Sequence, residues 1–136
     1  MGDTPMKPAT LLDEILEKDW QRQVRDLAAT LGYRRAYHTF DSRRSDTGFP
    51  DLVLVSPTRR RIVYLELKRE KGKVSDAQAS WIRDLHSAGA EVYVVRPRHL
   101  QMLGTVLIGN SASAQQYHEA RGHLLLELDL ILQDAA

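Results

Sequence analysis

A glutamate and a lysine two residues apart, Glu66 and Lys68, close the apolar run Ile62-Val63-Tyr64-Leu65-Glu66-Leu67-Lys68. Strand side chains alternate between faces, so Glu66 and Lys68 share one face while Leu65 and Leu67 take the other. Charges at the end of such a strand lie close to buried surface and are costly unless paired or given a metal ion. A third group comes from upstream, where Gly48-Phe49-Pro50-Asp51 precedes the apolar run Leu52-Val53-Leu54-Val55. The short connection between the two runs implies an antiparallel hairpin, which carries Asp51 towards the end that holds Glu66. Two carboxylates are hard oxygen donors that hold Mg²⁺ while leaving positions for water and a phosphate. Such an ion lowers the pKa of bound water and offsets charge on phosphate oxygens. A nearby lysine orients a nucleophile or stabilises an anionic transition state. Phosphodiester hydrolysis is the chemistry this set suits. Glu66 and Lys68 alone read rather as a strand-edge ion pair, and Asp51 as a turn residue after Pro50. Their combination at hairpin distance is what favours a site.

Glu17 is a further candidate. At 3.6 residues per turn, positions 17, 24 and 31 lie nearly above one another, which places Glu17 at or within an apolar helix face with Val24 and Leu31. A carboxylate there either serves a metal centre or, near the helix start, reaches solvent and favours the dipole. Gln78 reads as the partner of Ser75 in a capping box, and Trp81 as core. His38 reads as a loop or strand histidine, and His86, His99, His118 and His123 show no metal-ligand spacing. No Gly-rich phosphate loop, G-x-S-x-G elbow or H-E-x-x-H motif is present.

These residues must be positioned by a small set of elements. The stripe Leu12, Leu16, Trp20, Val24, Leu27 and Leu31 predicts a helix over 11–31, with Thr10 as N-cap and Gly32 as its stop. A short extended piece follows at 36–40, and 41–48 reads as a polar, basic loop. Residues 52–55 and 61–68 are strands joined by a turn containing Pro57. Ser75 to Ala88 is a helix whose buried face is Trp81, Ile82, Leu85 and Ala88, ended by Gly89. Val92-Tyr93-Val94-Val95 is a strand, and strand–helix–strand at this length implies a crossover and a parallel pair. In the tail, 98–103 predicts a short helix and 104–114 a loop. Leu124 to Leu132 is too uniformly apolar to assign by period and is taken as helix. The expected organisation is an N-terminal tail (1–10), one domain carrying the site (11–103) and an extension (104–136) that completes the core or joins two subunits. The class is α/β, a mixed sheet flanked by helices.

A chain of 136 residues is long enough for one domain with its own core. With no cysteine, disulfides and thiolate metal sites are excluded, which suits a reducing cytoplasm. No apolar run of about 18 residues suggests a membrane span, and the N-terminus lacks the pattern of a secretory signal. The net charge of +1 conceals a segregation: residues 34–98 hold 14 Lys/Arg against 8 Asp/Glu, the rest 5 against 10. A positive region of this kind permits a nucleic-acid partner. Arg43 and Arg44 before Gly48, and Arg69, Lys71 and Lys73 after Lys68, are the candidate DNA contacts; they read equally as solvated loop charges.

The ordered set Gly48-Phe49-Pro50-Asp51, Glu66-Leu67-Lys68 and Gln78-Ala79-Ser80-Trp81 resembles the VRR-NUC family, virus-type replication-repair nucleases of the PD-(D/E)xK class. The match runs from about Glu17 to Arg98. The resemblance implies a restriction-endonuclease-like core, Asp51 and Glu66 as metal ligands, Lys68 as the catalytic lysine and Gln78 in a supporting role. Glu17 takes the place of an acidic residue in the family's first helix. It further implies Mg²⁺ or Mn²⁺ dependence, structure-selective cleavage of branched DNA by a homodimer, and a phage or bacterial setting. A DNA- or junction-binding module that keeps the fold without cleaving stays open as the alternative.

Overall fold

A computed structural model describes residues 8–39, 47–109 and 113–133. Helices α1 (Pro8–Asp13) and α2 (Glu17–Thr30) lead into strands β1 (Arg35–His38), β2 (Leu52–Ser56) and β3 (Arg61–Leu67). Helix α3 (Asp76–Ser87) returns the chain to β4 (Glu91–Val95). A 3₁₀ turn (Pro97–His99), α4 (Leu100–Ile108) and α5 (Ala114–Gln133) complete it. The sheet order is β1-β2-β3-β4. The first three strands form an antiparallel meander, and β4 pairs parallel with β3, as a helical crossover requires. The fold is therefore the expected α/β one, a mixed sheet flanked by helices.

Strand alternation divides the core in two. Leu52, Leu54, Val63, Leu65, Leu67, Tyr93 and Val95 face Trp20, Val24 and Ala28 of α2 and Leu103, Val106 and Leu107 of α4. Val92 and Val94 face Ile82 of α3 on the other side. Helix α5 serves both layers: Leu124 packs in the first, Leu128 and Ile131 in the second. That double duty explains why its sequence is apolar on more than one side and shows no single stripe. Burying each of these leucines contributes about 1.5–3 kcal/mol.

Two expectations are corrected. The helix expected over 11–31 with Thr10 as N-cap instead starts at Pro8, so that Thr10 lies within α1, and is broken at Glu14 to Leu16. Glu14 and Ile15 N–H groups close back on Leu11 and Leu12 at 3.2 and 3.3 Å, and Leu16 is extended with ψ 151°. The break lets Ile15 pack on the core and leaves Leu16 half in solvent, so α2 begins at Glu17. The loop expected over 104–114 is helical as far as Ile108, because Val106 and Leu107 are needed in the core; Gly109, at φ +64°, ends α4.

Helix α3 starts and stops as its sequence signals. Ser75 and Gln78 form a reciprocal capping box, and Gly89 leaves the helix at φ +91°. None of the described helices is long and apolar enough to cross a membrane.

Candidate active site

The antiparallel register sets Leu52 opposite Leu65, so one step further along the ladder Asp51 faces Glu66. Residues directly opposite in such a pair have Cβ atoms about 4.5–5.5 Å apart on the same face. The ladder does not simply continue there. The backbone N–H of Leu67 donates to Oδ2 of Asp51 at 2.8 Å, which fixes that carboxylate against the strand carrying Glu66 and Lys68. Asp51 is held from its other side too: its carbonyl accepts from Thr39 N–H at 2.9 Å, and Thr39 Oγ1 donates to the Pro50 carbonyl at 2.7 Å.

Glu66 is the anomaly of the molecule. It is 1% exposed, and neither carboxylate oxygen has a hydrogen-bond partner among the described residues. Burial pushes its pKa up to about 10, with the Asp51 carboxylate as the next cause and Glu17 adding to it; the Lys68 ammonium opposes. Two ionised carboxylates cannot hydrogen-bond each other, so Glu66 is bare when charged; a single proton would let it bond to Asp51. A buried anion of this kind needs a proton or a cation.

Lys68 continues β3 beyond the ladder, its N–H donating to the Val95 carbonyl at 3.0 Å. The same carbonyl accepts from Trp20 Nε1 at 3.2 Å. One acceptor therefore ties the start of α2 to the strand end that carries Lys68. Glu17, in the first turn of α2, is exposed, yet near enough for its charge to register at Glu66.

The peptide leading to Asp51 is clamped onto α3. Phe49 meets Trp81 and Tyr64 edge to face, with centroids 5.0 and 6.2 Å apart. Gly48 has φ +91°, and a Cβ there would lie 2.4 Å from the Ala77 carbonyl carbon. Only glycine permits so close an approach in this conformation. Gln78 has its Oε1 on Ser75 N–H at 2.9 Å; its visible work is to cap the helix against which Gly48 rests.

The loop after Lys68 is held by Arg96, a residue that sequence reasoning missed. Its Nη1 donates to the carbonyls of Arg69 and Gly72 at 2.8 and 2.7 Å, and its Nε to Glu127 of α5 at 2.7 Å. A Cβ on Gly72 would sit 3.6 Å from Cδ of Lys68, so this loop passes over the lysine stem. His99 Nδ1 accepts from Arg96 N–H at 3.0 Å; burial lowers its pKa to about 4, with Arg98 adding to the effect, and keeps it neutral. An arginine closing an apolar strand was the available signal.

The sequence candidates thus fall into groups. Asp51, Glu66 and Lys68 converge, with Glu17 at the rim. Among the described residues no three His, Cys, Asp or Glu side chains gather into a metal cage. Mg²⁺ commonly binds through one or two carboxylates plus substrate phosphate and water, so the pair Asp51 and Glu66, with an orphaned buried carboxylate, fits such an ion. Lys71 pairs with Asp13 at 3.0 Å, Arg69 reaches the Asp13 carbonyl at 3.4 Å, and Lys73 is exposed. Arg43 and Arg44 lie outside the described residues.

The VRR-NUC domain family matches residues 8–99, more than half of the chain. A curated protein, the Fanconi-associated nuclease 1 homolog of Schizosaccharomyces pombe, is 36% identical over 56 residues, 41% of this chain. That match spans 8% of the larger protein. No solved structure matches the chain.

Proposed function

This chain belongs to the VRR-NUC domain family, and from that premise we propose that it is a nuclease hydrolysing DNA phosphodiester bonds with a divalent ion held by Asp51 and Glu66. The observation that carries the reading is Glu66, a buried carboxylate without a hydrogen-bond partner, facing a second carboxylate and followed two residues later by Lys68. When bound, Mg²⁺ or Mn²⁺ supplies Lewis acidity and an activated water.

The protein's own groups do the rest. Asp51, pinned through Oδ2 by the Leu67 amide, leaves Oδ1 to turn into the site. Glu66, whose pKa burial and then Asp51 push up, would hold the ion together with Asp51 as a carboxylate, because a bound cation would offset the cost of burying its charge. Lys68, restrained at its backbone by Val95 and along its stem by the 69–72 loop, presents an ammonium to the phosphate and stabilises its growing negative charge. Glu17 acts at the rim, on water or on the substrate, and Gln78 supports the site by capping the helix against which Gly48 rests.

Branched DNA acted on by a homodimer is the finer form of this proposal. Leu126 and Leu130, one turn apart on α5 and 62% and 61% exposed, support pairing with a second copy; light scattering of the Leu126→Glu/Leu130→Glu protein against the unaltered one tests it, and equal masses refute the role of this face. The decisive assay is cleavage of labelled four-way junction, flap and linear duplex with Mg²⁺, Mn²⁺ or EDTA, run beside Lys68→Ala. Metal-dependent cutting by the unaltered protein alone is expected, with Lys68→Ala still folded and still binding DNA. Unchanged turnover in Lys68→Ala would sink the assignment, and binding without cutting under every condition would favour an idle module.

A further inference from the structure

A second positive region emerges away from the loops. A groove of about 530 Å³ runs between α2 and the segment entering β1, with Lys18, Arg22, Arg25 and Arg34 on its walls and Asp26 as the opposing charge. Positions 18, 22, 25 and 29 recur at helical spacing, so they line one side of α2. Their run from 18 to 29 covers about 16 Å at 1.5 Å per residue. Arg22 is partly spent on Asp19 at 2.7 Å. Lys18, Arg25 and Arg34 have no ion pair among the described residues. The loop cations differ, since Lys71 and Arg69 are engaged by Asp13 of α1.

The direction of the groove is fixed by the fold. Its near end is Lys18, next to Glu17, whose charge reaches Glu66 and which lies about one turn before Trp20, bonded to the carbonyl that also holds Lys68. Its far end is Arg34, because β1 runs antiparallel to β2 and Arg35 pairs with Val55, at the end of β2 remote from Asp51. A line of unpaired cations therefore starts at the candidate active site and leads away from it along α2.

We propose that this α2–β1 groove binds the sugar–phosphate backbone of DNA on one side of the cleaved bond. The inference rests on the nuclease reading above and adds where the flanking DNA lies. Each strand of B-DNA presents one charge per about 3.4 Å of axis, so the groove is long enough to follow several phosphates. The contacts carry no base information and position the duplex only.

The test is fluorescence anisotropy with a labelled duplex in EDTA, titrated from low to moderate salt, on the unaltered chain, Arg25→Ala/Arg34→Ala and Lys71→Ala. Each phosphate contact contributes about 0.9 to the slope of log affinity against log salt. The double variant should lose about 2 from that slope and bind roughly 10- to 100-fold more weakly at about 0.1 M salt. Lys71→Ala should lose much less, and circular dichroism should show all three folded. An unchanged slope in the double variant, with DNA binding and cleavage by the unaltered chain intact, overturns this placement alone, as does a larger loss in Lys71→Ala. No salt-sensitive DNA binding by the unaltered chain overturns the placement and the nuclease reading together.

Discussion

Replacing Glu66 by glutamine should stabilise the protein when divalent ions are withheld, and the size of the effect follows from its surroundings. Glu66 is 1% exposed and its pKa is pushed up to about 10, first by burial and then by Asp51. Between the ordinary carboxylate value of about 4.3 and 10, the folded protein keeps a proton that the unfolded chain has released. Stability must therefore fall as pH rises through that window, by up to about 1.4 kcal/mol per pH unit. From pH 7 to pH 9 the loss is at most about 3 kcal/mol, on the order of 10 °C in melting temperature for a chain of this size. That range lies well above the one in which His99 titrates. Glutamine has no charge to bury, and its amide can donate to Asp51. Thermal or urea denaturation in EDTA at pH 7, 8 and 9 should show the unaltered protein losing stability and Glu66→Gln staying nearly level. Added Mg²⁺ or Mn²⁺ should raise the unaltered protein and leave the variant unmoved. Parallel pH profiles for the two proteins would refute the reasoning, because Glu66 would then be ionised at no cost.

Asp51→Asn should lose both cleavage and Mn²⁺ binding, and a calorimetric titration with the heat and affinity of the unaltered protein would contradict the ligand assignment. Gly48→Ala combines a positive φ with a Cβ 2.4 Å from the Ala77 backbone. It should cost on the order of 2–4 kcal/mol and slow cleavage by shifting Asp51; an unaltered melting curve would show that the contact relaxes freely. Arg96→Ala removes one partner of a buried pair with Glu127 and frees the loop over Lys68. Because Glu127 keeps Arg98 at 2.9 Å, a loss of about 1.5–3 kcal/mol is expected, and Arg96→Lys should not restore it because an ammonium lacks the planar fork. Lysine matching arginine in a denaturation curve would show that charge alone suffices.

Much of the fold was legible because its signals are local. The alternation of Ile62 to Lys68, the Ser75 and Gln78 capping box and the Gly89 stop depend on neighbours in sequence, and the structure reproduces each. What misled was also local. The stripe from Leu12 to Leu31 continues through Leu16, yet the helix breaks there because the core takes Ile15. Likewise α4 fills a segment whose glycine at 104 reads as a loop; Gly104 instead faces Leu27 of α2, where a larger side chain would meet it.

The sequence by itself determined the residue types of the site and the ladder that brings them together: a two-residue strand period puts Glu66 beside Lys68, and a short hairpin turn brings Asp51 opposite. Only the tertiary structure decided their condition. Packing of α3 and the Phe49–Trp81–Tyr64 cluster around the hairpin belongs to contacts distant in sequence, as does the burial that leaves Glu66 without a partner. The same holds for charge. Counting along the chain assigned the positive region to residues 34–98, whereas the fold pairs Lys71 with Asp13 and lines up Lys18 and Arg25, from a segment rich in acidic residues, with Arg34. Electrostatic fields depend on distance in space, and that distance is what folding sets.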